Sequence, residues 1–136
     1  MVGIVVISHG DMAKGAISSL DLIDPGQKQI AFLSVRPETN PDDFSKDLAD
    51  VIHRVDMGDG VLILADLLGG TPCSSSIGMI SSSTNVLTGF NLPMLLSAVT
   101  LRSGISDCDE LAARVEQEAH SGINNVKRLL KENGND

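Results

Sequence analysis

"GIVVISHGDMAKGAISSLDLI" (Gly3–Ile23) changes its period part-way along. The run Ile4 to Ile7 is continuously apolar, the pattern of a strand buried on both faces. From about Asp11 the spacing becomes helical and continues to Ile23, where "DPGQ" (Asp24–Gln27) supplies turn residues. A buried strand running straight into a helix predicts a parallel neighbour and therefore an α/β domain. His9 stands at the changeover, where the strand stops.

The same alternation continues outward. Ile30–Val35 reads as a second, weaker strand, "VLILAD" (Val61–Asp66) as a third and Asn85–Thr88 as a short fourth. Between them, "NPDDFSKDLADVIHRV" (Asn40–Val55) carries a helix start. Asn40 is the cap, Pro41 takes the first helical position, and Asp42 and Asp43 sit at the positive end of the dipole. Phe44, Leu48, Val51, Ile52 and Val55 share one face of that helix. "GGTPCSSSIGMI" opens another helix, with Thr71 expected as cap. A short helix begins near Pro93, its Met and Leu residues reading as core. A further helix starts at Asp107, with Glu110 at capping-box spacing. After Gly122 the residues Ile123, Val126, Leu129 and Leu130 fit either a helical stripe or an edge strand.

Length and composition narrow the function. A chain of 136 residues forms one domain. The formal charge of −8, the absence of Trp and Tyr and the presence of only three Phe argue against a nucleic-acid partner. No apolar run reaches membrane-span length and the N-terminus lacks a basic signal region, so a cytoplasmic protein is expected. Cys73 and Cys108 read as two reduced thiols, and no cluster with metal-ligand spacing is visible.

Parallel strands with right-handed crossovers place His9 and Asp66 along one carboxyl edge of the sheet, where α/β domains bind ligands. Each precedes a helix start, at Gly10-Asp11 and at Gly69-Gly70-Thr71, and helix starts offer unpaired N–H groups to an anion. A histidine that carries a phosphoryl group needs one ring nitrogen free and the other held as N–H. Asp66 suits the holding role, while Gly10, Gly70, Thr71 and Ser74 are the candidates to bind phosphate. Taken singly, His9 could bond a nearby carbonyl and Asp66 could cap a turn; their convergence with the Gly-Gly-Thr turn favours function. His53 and His120 read as surface residues and Lys14 as a solvated charge.

Other phosphate motifs fit less well. Gly10 and Gly15 have P-loop spacing, but Ala16-Ile17 stands where Lys-Ser/Thr is needed. The Rossmann glycine pattern is missing, and Ser8 replaces the arginine of the Arg-His-Gly motif of histidine phosphatases.

With "VVISHGDMAKG", "VLILADLLGGTP" and "LTGFNLPMLL" in order, the chain resembles the enzyme IIA domain of the mannose-type (mannose/fructose/sorbose) family of the bacterial phosphoenolpyruvate:sugar phosphotransferase system. The likeness runs from Met1 to about Leu130, leaving residues 131–136 as a solvated tail. The resemblance implies a phosphohistidine relay. His9 would take a phosphoryl group on Nε2 from phospho-HPr and pass it to a IIB component, with Asp66 paired to the ring. The membrane IIC/IID complex would be served indirectly, and neither cofactor nor metal is required.

The resemblance also implies an open three-layer sandwich with four parallel strands in the order 2-1-3-4. A fifth, antiparallel strand would be exchanged across a homodimer, which makes Ile123–Leu130 that strand and covers an exposed sheet edge. Leu67 and Leu68 stand where some relatives carry an aromatic residue. Met12, Leu67, Leu68 and Met94 are expected to contribute to an apolar docking rim around His9, with burial in the core as the simpler alternative. No IIB domain follows residue 136, so a stand-alone or excised IIA is expected. The same fold also serves transcription regulators and the phosphoryl-donor subunit of dihydroxyacetone kinases, and a simple anion-binding module is a third reading.

Overall fold

Strand β1 (Gly3–His9) leads into helix α1 (Met12–Ile23), and the same step recurs through β2 (Ile30–Val35), α2 (Pro41–Val55), β3 (Val61–Ala65), α3 (Gly70–Ile77) and β4 (Thr84–Leu87). Helices α4 (Leu92–Leu101), α5 (Cys108–Ser121) and α6 (Val126–Glu132) follow. The chain is seen in a computed structural model that describes residues 1–134. All pairings in the four-stranded sheet are parallel, in the order β2-β1-β3-β4, as expected.

The continuous apolar runs find their explanation in this order. β1 and β3 are the inner strands, so alternate residues serve two cores. Ile4 and Val6 face Leu20 of α1, Leu95 of α4 and Leu111 of α5. Val5 and Ile7 face Phe44, Leu48 and Val51 of α2. The result is the expected three-layer sandwich. Burying each of these large side chains contributes about 1.5–3 kcal/mol, which makes the register of β1 costly to slip. β2 is an edge strand and only partly buried, which accounts for its weaker pattern.

Side chains cap the starts of α2, α4 and α5, two of them as the sequence predicts and one, at Asn91, that it does not name. Asn40 accepts from the backbone N–H of Asp42 and Asp43, with Pro41 behind it. Asn91 accepts from Met94 N–H, and Asp107 accepts from Asp109 and Glu110. The fourth start differs: the cap of α3 is Gly69, and Thr71 already lies inside the helix. The chain begins to coil two residues early because Gly69 and Gly70 both take positive φ, at 111° and 76°, which a threonine does not adopt readily.

The C-terminal segment also departs from expectation. Residues 123–130 do not form a strand; Asn125 accepts from Arg128 N–H and starts α6. Within a single chain no sheet edge reaches this segment, so its 3.6-residue spacing is satisfied by local hydrogen bonds instead. Ile123, Val126, Leu129 and Leu130 remain exposed. α6 carries through Glu132 into the region expected as tail, of which residues 135–136 lie outside the described residues.

Candidate functional site

The site is assembled where β1 and β3 end. Asp66 N–H donates to Ile7 O at 3.1 Å and continues the parallel ladder one step past β3, which brings its carboxylate beside the last residue of β1. Asp66 Oδ2 then accepts from His9 N–H at 2.8 Å and lies 2.7 Å from His9 Nδ1, while Oδ1 accepts from Leu67 N–H at 2.9 Å. One carboxylate therefore fixes both the backbone and the ring of His9. Its side chain is 8% exposed and that of His9 47%, so the acid is covered and the imidazole faces outward.

Burial by itself would raise the Asp66 carboxyl; the His9 backbone N–H, the His9 ring and Leu67 N–H outweigh it and hold the group below its usual value. It is therefore a carboxylate at neutral pH and an acceptor only. An acceptor 2.7 Å from Nδ1 requires a proton there, which leaves Nε2 with its lone pair.

Nε2 is aimed at the start of α3. A Cβ added to Gly70 would lie 2.9 Å from both Nε2 and Cε1 of His9, closer than side chains tolerate. Glycine at 70 thus meets two demands, a positive φ and room beside the nucleophilic nitrogen. Thr71 and Ser74 follow in the first turns of α3, half-buried and exposed respectively. The helix end beside Nε2 is therefore the N-terminus of α3, where first-turn N–H groups lack intrahelical partners.

On the other side of the turn, Gly10 takes φ 59° and its N–H donates to Val35 O at 2.9 Å. Here a residue outside the sequence expectation acts. Ser8 Oγ accepts from Ala13 N–H at 2.8 Å and donates to Gly10 O at 3.3 Å, so Ser8 caps α1 from inside β1, whereas Asp11 makes no side-chain cap bond. The signal in the sequence is a buried serine directly before the histidine, and it becomes readable only once the strand direction is known. Arg36, directly after β2, pairs with Asp11 across this turn.

The expected apolar rim divides. Met12, Leu67 and Leu68 are exposed at 54%, 49% and 78%, and each lies within three residues after His9 or Asp66 in the chain. Met94 is not on the surface. It is 3% exposed within the core of α1, α4 and α5, because Asn91 caps α4 so that Met94 turns toward the sheet. Among the described residues there is no group of three or more His, Cys, Asp or Glu placed to hold a metal. None of the described helices is long and apolar enough to cross a membrane. Cys73 and Cys108 are both buried and free, as expected, and burial pushes the Cys108 thiol up to about 11.

The family model described as "EIIA-man: PTS system fructose IIA component" matches residues 3–116, which span both halves of the site. The chain belongs to this EIIA-man family. Among solved EIIA structures, the phosphotransferase system component EIIA from Streptococcus agalactiae superposes with a TM-score of 0.86 at 30% identity, covering 94% of this chain and 99% of that one. The mannose/sorbose specific IIA subunit from Enterococcus faecalis gives a TM-score of 0.81 at 29% identity over 90% and 92% of the two chains. The mannose-specific EIIAB component of Escherichia coli K12 is 25% identical over 93% of this chain. This EIIA chain spans 40% of the length of that relative. Membership of the family places the chain among phosphotransferase-system IIA components.

Proposed function

We propose that this EIIA chain is a phosphohistidine carrier that takes a phosphoryl group from phospho-HPr onto His9 and delivers it to a IIB component. The observation that carries the reading is Asp66 Oδ2 at 2.7 Å from His9 Nδ1, with Nε2 turned to the glycine start of α3. The Nε2 lone pair attacks phosphorus, the bond from phosphorus to the donor's histidine nitrogen breaks, and the donor ring keeps that electron pair. The proton on Nδ1 stays in place throughout. The positive charge that grows on the ring is stabilised by the Asp66 carboxylate at hydrogen-bond distance. Asp66 does not touch the phosphoryl group, whose oxygens fall to the α3 amides, Thr71 and Ser74.

The exposed Met12, Leu67 and Leu68 form the apolar part of a docking rim that donor and acceptor use in turn. Neither cofactor nor metal takes part, because the incoming phosphoryl group is already activated. The protein works in the cytoplasm, beside the IIC/IID membrane complex. It acts as a homodimer, a reading supported by the unpaired outer edge of β4 and by the groove beside it, of about 660 Å³, along α5.

Incubation with phosphoenolpyruvate, enzyme I and HPr, read by intact-protein mass spectrometry, is expected to add one acid-labile phosphoryl group. A folded His9→Ala variant is expected to stay unlabelled. Labelling of that variant would remove His9 from the role.

A further inference from the structure

A phosphoryl group on His9 places about two negative charges on its oxygens, and the ring made positive by the retained Nδ1 proton offsets only one of them, in a chain already at −8. Among the described residues, the hydrogen bonds and ion pairs of His9 and Asp66 involve each other and Leu67 N–H, and no lysine or arginine. The proposed phosphate contacts are neutral amides and hydroxyls, and Asp66 is an anion. The ring that becomes positive is already paired with Asp66, so the site as described lacks a second cation for the phosphoryl oxygens.

Arg36 is placed to supply one. In the β1–β2 register His9 lies opposite Val35, and Gly10 N–H donates to Val35 O, so Arg36 leaves the sheet beside the turn that carries the histidine. Its backbone is fixed, with its N–H donating to Thr39 Oγ1 at 2.8 Å. Its side chain is free to move: 45% exposed, it meets only Asp11 among the described residues, at 2.5 Å, and Asp11 is itself 72% exposed. An exposed pair of this kind is weak. A guanidinium bound to phosphoryl oxygens forms charge-assisted, often paired hydrogen bonds that are stronger. The exchange of partners is therefore downhill when a phosphoryl group is present.

We infer that Arg36 is held in reserve by Asp11 and turns to the phosphoryl group during transfer to and from His9, so that Asp11 restrains the cation that Arg36 supplies. The inference rests on His9 being the carrier. No bond is made or broken by Arg36; it balances charge on the phosphoryl oxygens while phosphorus moves between nitrogens.

The two residues are predicted to have opposite effects on rate. A merely structural ion pair would lose the same tie whichever partner is removed. Single-turnover transfer from phospho-HPr is to be measured on wild type, Arg36→Ala, Arg36→Lys and Asp11→Ala, with thermal midpoints as a check on folding. We expect Arg36→Ala to slow transfer by about tenfold or more, Arg36→Lys to recover part of the loss, and Asp11→Ala to match or exceed the wild-type rate. If Arg36→Ala does not fold, Arg36→Met, which keeps the apolar stem, is read in its place. Arg36→Ala within about twofold of wild type, or Asp11→Ala slowed as much as Arg36→Ala, would overturn the inference while leaving the carrier role of His9 intact. Failure of the wild type to accept a phosphoryl group would overturn both readings together.

Discussion

Asp66→Asn tests the site because it keeps the shape and changes only charge and donor pattern. The native carboxylate accepts three bonds, from His9 N–H, His9 Nδ1–H and Leu67 N–H. A carboxamide has one oxygen and one NH₂ and cannot replace all three. If its oxygen faces His9, the NH₂ opposes Leu67 N–H and leaves that donor unpaired, at a cost of about 1–3 kcal/mol. If it is flipped, NH₂ opposes His9 N–H and donates to Nδ1, which moves the ring proton to Nε2 and removes the nucleophilic lone pair. The first arrangement also exchanges a charge-assisted bond for a neutral one, losing about 1–1.5 kcal/mol where the ring becomes positive, or roughly tenfold in rate. Mixing in the second brings the expected loss to about 10- to 100-fold.

Rapid-quench transfer from phospho-HPr gives the rate, and ¹⁵N-resolved NMR of His9 gives the tautomer. Nδ1–H is expected in wild type, with an Nε2–H population appearing in the variant. Transfer within about twofold of wild type, with Nδ1–H still dominant, would refute the orienting role even if the variant were less stable.

The same carboxylate sets an acid limit. Native Asp66 titrates below its ordinary value, so its stabilisation is complete above about pH 4, the value of an unfolded aspartate, and is lost as pH falls through the native value. Urea unfolding of wild type and Asp66→Asn should differ at pH 7 and converge in acid. Gly70→Ala must place a methyl 2.9 Å from Nε2 and hold alanine at φ 76°, which costs about 1–2 kcal/mol in backbone strain; transfer should fall by about 100-fold with His9 still folded into place. Arg102 is 1% exposed, and its guanidinium donates to Val2 O, Gln29 O, Lys28 O and the Gln27 side chain. Arg102→Met should cost about 3 kcal/mol or more in urea unfolding, because several acceptors lose their donor at once, while transfer in the folded fraction stays unchanged.

The parallel sheet and the place of His9 and Asp66 at its carboxyl edge were legible because β1 and β3 are covered on two faces, whereas the strand order came from the family resemblance. Their unbroken apolar runs, Ile4–Ile7 and Val61–Ala65, can belong only to inner strands, and that fixes His9 and Asp66 at one edge. Caps were legible at Asn40 and Asp107, where a side chain makes them. The α3 start was misplaced because its cap is set by the backbone of two glycines, which leaves no side-chain signal.

By itself, the amino-acid order determined an α/β domain with a histidine and a carboxylate at the carboxyl edge, since period and polarity are local properties of the chain. Only the tertiary structure decided that one oxygen of Asp66 holds both backbone and ring of His9, that Gly70 lies against Nε2, that Ser8 caps α1 and that Arg36 pairs with Asp11. It also decided that Met94 is core and that residues 126–132 are helical. Each of these depends on contacts between segments distant in sequence, or on which neighbour a segment finds, and neither is written in local spacing.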